Sequence, residues 1–152
     1  MEKIQYEGQI IRITEEVIDD LTWERAYLPD GVIIFPITKD KKIVLIEERR
    51  PHEKPHLRIK PVSGILEKDQ SPEENAQREM QEEIGLKAQK LDLFWELKTS
   101  GTVNSTQYFF MARDLVSSKI PNPDGEDVIL RTVEYSPEES PAAGVSNGRR
   151  AP

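Results

Sequence analysis

The run Gly64–Leu86, GILEKDQSPEENAQREMQEEIGL, decides how this chain is read. It closes on Arg78-Glu79-Met80-Gln81-Glu82-Glu83-Ile84-Gly85-Leu86, with three carboxylates inside five residues. In a helix, Glu79, Glu82 and Glu83 stand at i, i+3 and i+4 and share one face. Like charges at that spacing destabilise an isolated helix by about 0.2–0.5 kcal/mol a pair. A hard divalent cation with oxygen ligands offsets that repulsion. A glutamate pair taken alone usually marks a solvated face. Here the surrounding glycines, arginine and apolar positions agree with one another, and the face reads as a metal site.

The helix is well signalled. Ser71-Pro72-Glu73-Glu74 forms a capping box, with Ser71 as N-cap, proline at the first helical position and Glu74 reaching back to the cap. Ala76, Met80 and Ile84 recur every four residues and give a narrow apolar stripe. Gly85 is placed to end the helix in the left-handed conformation. Gly64, ahead of the cap, permits a tight loop and lets a ligand or metal approach the backbone.

This unit resembles the Nudix box, the signature of the Nudix hydrolase superfamily: G-x5-E-x7-R-E-U-x-E-E-x-G-U, with U apolar. Gly64, Arg78-Glu79, Met80, Glu82-Glu83 and Gly85-Leu86 fill its positions at the correct spacing. The departure is Gln70, which stands where the motif has its first glutamate and keeps hydrogen-bonding capacity without the charge. The resemblance implies an α+β (mixed) fold, the Nudix α/β/α sandwich with a mixed sheet. In that family the arginine orients the glutamates; read locally, Arg78 pairs with Glu74 or Glu82.

The rest of the chain narrows the choices. At 152 residues it is one domain's length. Its formal net charge of −7, with no long Lys/Arg block, excludes non-specific binding to a nucleic acid polymer. With no cysteine there is no disulfide, zinc thiolate or thiol nucleophile. No apolar run reaches membrane-spanning length and Met1-Glu2-Lys3 does not open a signal peptide, so a cytoplasmic protein without membrane contact is expected.

Strands are expected at Ile4–Ile13, Thr22–Tyr27, Val32–Ile37, Ile43–Ile46, Leu91–Lys98, Thr106–Ala112 and Asp127–Tyr135. Leu28-Pro29-Asp30-Gly31 and Lys39-Asp40-Lys41-Lys42 are turns. Residues 49–62, with three prolines and both histidines, read as a loop. The division is residues 1–30 as an N-terminal antiparallel strand extension, 31–139 as the Nudix domain, and 140–152 as a poorly ordered tail. The family's usual closing helix has no counterpart in that tail.

Outside the box, the layout resembles ADP-ribose pyrophosphatases and related nucleoside-diphosphate-sugar hydrolases. That resemblance implies dimerisation through residues 1–30, giving a homodimer. It also implies that Val44–Pro51 is a strand ending in an arginine that faces substrate. Ser100-Gly101 takes the place of a Pro-Gly pair in that branch, and Ser105 the place of a glutamate. The implied reaction is Mg²⁺- or Mn²⁺-dependent cleavage of a pyrophosphate bridge in a small nucleotide substrate. Glu79, Glu82, Glu83 and the Gly64 carbonyl are the expected metal ligands.

The general base, which related enzymes carry on a loop before the last strand, falls on Glu126, with Glu82 as the fallback. Arg50 and Arg58 are candidate phosphate binders, because guanidinium forks match phosphate geometry. Trp23 and Tyr27 are expected to pack in the core or at the dimer interface, with base stacking as the other option. His52 and His56 read as exposed polar residues. Three alternatives stay open: an NTP or dinucleotide pyrophosphohydrolase of the same fold, a catalytically weak nucleotide-sensing module, and an acidic protein-docking helix.

Overall fold

The computed structural model describes residues 1–122 and 128–136. The chain opens with an antiparallel meander of β1 (Lys3–Glu7), β2 (Arg12–Ile18) and β3 (Leu21–Tyr27). The single strand expected over Ile4–Ile13 is in fact two. Gly8 donates its N–H to the Ile11 carbonyl at 2.9 Å and closes a turn between them. The β2–β3 turn is two residues long, with Asp19 and Asp20 at φ 52° and 63°. Two left-handed residues in succession match the right-handed twist of the strands they join.

β4 (Gly31–Pro36) follows, with every residue buried or half-buried. It runs parallel to β9 (Val103–Ser117) on one side and antiparallel to β7 (Val62–Ile65) on the other. β8 (Leu86–Thr99) forms a long hairpin with β9, turned at Ser100–Thr102, where Gly101 has φ +98°. Among the described residues these strands make a seven-stranded sheet in the order β1-β2-β3-β9-β4-β7, with β8 on the remaining edge of β9. The meander joins it by a short parallel pairing, Ala26 with Val103 and Tyr27 with Asn104. A second sheet has the order β10-β5-β6, where β5 is Ile43–Arg49, β6 is Leu57–Lys60 and β10 is Ile129–Tyr135.

β6 and the start of β7 correct the loop expected over residues 49–62. Leu57, Arg58 and Ile59 are all exposed, so this short stretch shows no inside–outside alternation to reveal it. The expected loop survives only at residues 50–56, where His52 and His56 are exposed as anticipated.

The helix α1 (Pro72–Glu83) is the helical layer among the described residues. Its capping box is complete: Ser71 Oγ accepts from Glu74 N–H at 3.1 Å, and Glu74 Oε2 accepts from Ser71 N–H at 2.8 Å. Gly85 follows at φ +69°. Ala76 and Met80 are fully buried, and Ile84 packs beside them. They meet Val32 and Ile34 of β4, Ile46 of β5, Val62 of β7, Ala88 of β8, and Phe110 and Ala112 of β9. This one core fixes α1 against both sheets, in the mixed α+β arrangement expected. No described helix is long and apolar enough to cross a membrane.

Ser71→Ala leaves the Glu74 N–H without its acceptor, while the Glu74 carboxylate still accepts from the backbone N–H of residue 71. The expected loss is about 1 kcal/mol of unfolding free energy, read from urea denaturation. An unchanged midpoint would show that the box adds nothing to the packed helix.

Candidate active site

Residues Ser63 and Gly64 of β7 run alongside α1, and the helix lays its acidic face on them. A Cβ built on Gly64 would sit within 3.0 Å of the carboxyl carbon and both oxygens of Glu79. Glycine is needed here for close approach, since its backbone conformation is ordinary. Glu79 is 8% exposed and lies in the space that a side chain at residue 64 would fill.

Arg78 ties the acidic groups together. Its Nη1 lies 2.8 Å from Glu82 Oε2, and its Nη2 lies 2.8 Å from Glu79 Oε1 and 3.2 Å from Glu67 Oε1. Nη2 also donates to Asn75 Oδ1 at 3.0 Å, and Nε donates to Gln70 Oε1 at 3.2 Å. Of the two local partners expected for Arg78, Glu82 is present and Glu74 is engaged in the cap. Gln70 is a neutral acceptor braced against the guanidinium. Asn75, fully buried, donates to the Ile65 carbonyl and accepts from the Glu67 N–H. It pins the loop to the helix.

Glu83 accepts from the Ser63 N–H at 3.2 Å and faces Lys60 Nζ at 3.7 Å. Burial pushes its carboxyl up to about 7, and the charge of Glu48 adds to that; Lys60 and the Ser63 N–H pull the other way. A raised carboxylate pKa means that the folded state holds a proton the unfolded chain has released. Glu83's contribution to stability is therefore fully present below the ordinary value of 4.5 and is lost as pH rises to about 7. Melting temperatures of the metal-free protein should fall more steeply across that window for wild type than for Glu83→Gln. Parallel slopes would contradict the assignment.

Glu48, on β5, is 2% exposed and was not singled out in the sequence. Arg50 Nε lies 2.6 Å from its Oε1, Arg58 Nε 3.4 Å from the same oxygen, and Lys60 Nζ 3.7 Å from Oε2. The hydrogen bond to Glu48, against some desolvation, raises the pKa of Arg50 above its ordinary value. A signal for Glu48 was present: Val44, Ile46 and Glu48 alternate, and all three are buried.

These groups share a cleft of about 850 Å³, lined by Gly64, Glu79, Glu83, Glu48, Lys60, Arg50, Arg78 and Glu67. Asp30, Ser105 and Gln107 line it too. Of the candidate phosphate binders, Arg50 lines this cleft and Arg58 does not; Arg58 is more exposed and also meets Glu53 at 3.4 Å. Glu82 lines an adjoining pocket with Glu83. Glu126 lies outside the described residues, as does the tail at 140–152. Trp23 is exposed, while Tyr27 carries the Arg12 guanidinium 4.4 Å from its ring centroid and donates to Glu2 at 2.7 Å. Neither lines the cleft.

Among the described residues no three acidic or histidine side chains already converge as an ion cage. Glu79 and Glu82 are turned to Arg78, and Glu83 to Lys60 and Ser63. The donor set nevertheless fits a hard divalent cation: every candidate ligand is an oxygen, the carboxylates are largely buried, and a glycine cradle admits one of them. An ion held here would have to compete with Arg78 and Lys60 for these carboxylate oxygens.

The NUDIX domain model matches residues 27–150. The chain belongs to the Nudix family. It is 32% identical over 116 residues to the methanol dehydrogenase activator of Bacillus methanolicus. It is 30% identical over 114 residues to the ADP-ribose pyrophosphatase of Bacillus subtilis (strain 168). Each match covers 74% of this chain and 60% of the relative, so the chain spans about 60% of the length of these curated proteins. A crystal structure of an ADP compounds hydrolase superposes with a TM-score of 0.71 at 20% identity, over 89% of this chain and 78% of that one. At that identity the superposition shows the fold.

Proposed function

We propose that this chain is a Mg²⁺- or Mn²⁺-dependent Nudix hydrolase. Its substrate is a nucleoside diphosphate linked to a second moiety, ADP-ribose or a nucleotide sugar. The products are a nucleoside monophosphate and a phosphorylated second group. The observation that carries this reading is the meeting, in one cleft, of the carboxylates packed around Gly64 and the Arg50 guanidinium. The similarity to an ADP-ribose pyrophosphatase favours this substrate class over free nucleoside triphosphates.

Glu79, Glu82, Glu83 and the Gly64 carbonyl hold the divalent ions, and Arg78 orients Glu79 and Glu82. A bound Mg²⁺ supplies charge neutralisation and Lewis-acid polarisation at the phosphoryl oxygens. Arg50, fixed by Glu48 through its Nε, presents the rest of its fork to a phosphate. Arg58 adds positive charge at the cleft's edge. Glu126 or Glu82 accepts the proton of the attacking water as the bridging P–O bond breaks and its electron pair leaves on the departing phosphate.

The domain has a dimerisation extension in residues 1–30, followed by the hydrolase domain. Exposed Ile4, Tyr6, Val17 and Trp23 on β1–β3 support a homodimer formed there. The substrates are small nucleotides and the setting is the cytoplasm.

The test is a nucleotide panel containing ADP-ribose, nucleotide sugars, triphosphates and dinucleotides, with Mg²⁺, Mn²⁺ or EDTA and products identified by mass. Metal-dependent release of a nucleoside monophosphate from a diphosphate-linked substrate is expected. Binding without turnover across the panel would overturn the hydrolase reading.

A further inference from the structure

One cation in the cleft is neither on the helix nor placed to reach outward. Lys60 ends β6, and its side chain is 10% exposed. Its ammonium lies 3.7 Å from Glu48 Oε2 and 3.7 Å from Glu83 Oε1, and donates to Ser63 Oγ at 2.8 Å. A buried ammonium persists only when paired and hydrogen-bonded, and here both conditions are met. The two carboxylates gain likewise, because each would otherwise face the other's charge across the cleft. Lysine suits the position as a compact point charge on a long apolar stem.

The same geometry sets a competition. Glu83 is one of the carboxylates read above as a metal ligand, and Lys60 already neutralises it from the β6 side. The ammonium is covalently tethered beside that oxygen, so it is present at a fixed local concentration that dissolved ions must outcompete. Arg50 and Arg58 also neutralise Glu48, and among the described residues Lys60 is the cation within 4 Å of both Glu48 and Glu83.

We propose that Lys60 is a tethered counter-cation for the Glu83 end of the site. It holds the carboxylates together in the metal-free protein and sets the affinity for divalent ions by competing for Glu83. The inference rests on the metal-site reading given under the proposed function. Lys60 is thus a positioning residue, acting through Glu83 and Glu48.

The test is direct binding of Mn²⁺, followed by the electron paramagnetic resonance of the free ion, for wild type and Lys60→Gln. Glutamine keeps a donor for Ser63 Oγ and removes the charge. Binding at least about tenfold tighter is expected for Lys60→Gln, a change of about 1.4 kcal/mol. Lys60→Arg, which keeps the charge, should stay near wild type. Lys42→Gln removes an exposed charge before the start of β5, outside both pockets, and should change binding less than about twofold, separating local competition from general charge. If Lys60→Gln fails to fold without metal, the same comparison is made on Lys60→Met refolded in Mn²⁺. Equal or weaker binding by the neutral variant overturns this inference alone. Mn²⁺ bound by neither protein overturns the metal-site reading, and this inference with it.

Discussion

Glu82→Gln should reduce hydrolysis by about 10²–10⁴-fold, the range for loss of a positioned acid–base group, while leaving the fold intact. The substitution keeps the side chain's length and one carbonyl oxygen, so helix packing is undisturbed. It removes a charge that lies 2.8 Å from Arg78 Nη1. Arg78 retains Glu79, Glu67, Asn75 and Gln70 as partners, so the network loses one link of five. The stability effect should therefore be small, because the glutamine amide oxygen can still accept from Arg78. The informative quantity is the split between activity and melting temperature. Loss of both together would make Glu82 a structural brace, and turnover like wild type would remove it from the mechanism. Adding excess Mn²⁺ separates the two chemical roles: a weakened ligand is partly rescued by more metal, and a missing base is not.

The legible parts of this molecule were those in which local chemistry and global fold agree. The capping box, the Ala76–Met80–Ile84 stripe and the left-handed Gly85 each depend on neighbours within a few residues, and each lies where the spacing put it. β4 was equally plain, since a strand buried on both faces is a continuous apolar run. The β8–β9 hairpin runs past both strands expected there, because charged pairs across the strands interrupt the apolar pattern of a stretch that nevertheless brings Ala88 into the core. Lys90 with Asp114, and Arg113 with Asp92, are such pairs.

The site was harder. Glu79, Glu82, Glu83 and Gly64 are close in sequence, so one motif names them all as candidates. Glu48 and Lys60 come from strands that meet the helix only through tertiary packing, and charged residues in strands ordinarily face water. The alternation Val44–Ile46–Glu48 points inward, yet recognising it requires trusting the pattern at a carboxylate. Lys60 had less to show it, because β6 is exposed along Leu57–Ile59 and only its last residue turns in.

Gly64→Ala should have the second large effect, by a route that leaves backbone conformation untouched. The added methyl would fall within 3.0 Å of all three carboxyl atoms of Glu79, so one of them must move. The β7 backbone is held in register between Val32 and Gly64 by its pairing with β4, which leaves Glu79 to yield. Its carboxylate then leaves the cradle and shifts relative to Arg78 and the cleft. A displacement of about 1 Å in a catalytic constellation lowers rate by about 10²-fold, and a comparable drop in turnover is expected, with weaker Mn²⁺ binding. Because the atoms that yield are the end of a flexible side chain, stability should fall little. Gly85→Ala makes the opposite case. There a Cβ meets nothing closer than Lys119 Cβ at 3.5 Å, but φ is +69°, so the penalty is conformational. Stability should fall by about 1 kcal/mol with turnover retained. A double-mutant cycle closes the argument: if Gly64 acts through Glu79, then Glu79→Gln should lower turnover much less in the Gly64→Ala background than in wild type. Additive losses would mean that the glycine serves substrate or metal directly through its own backbone.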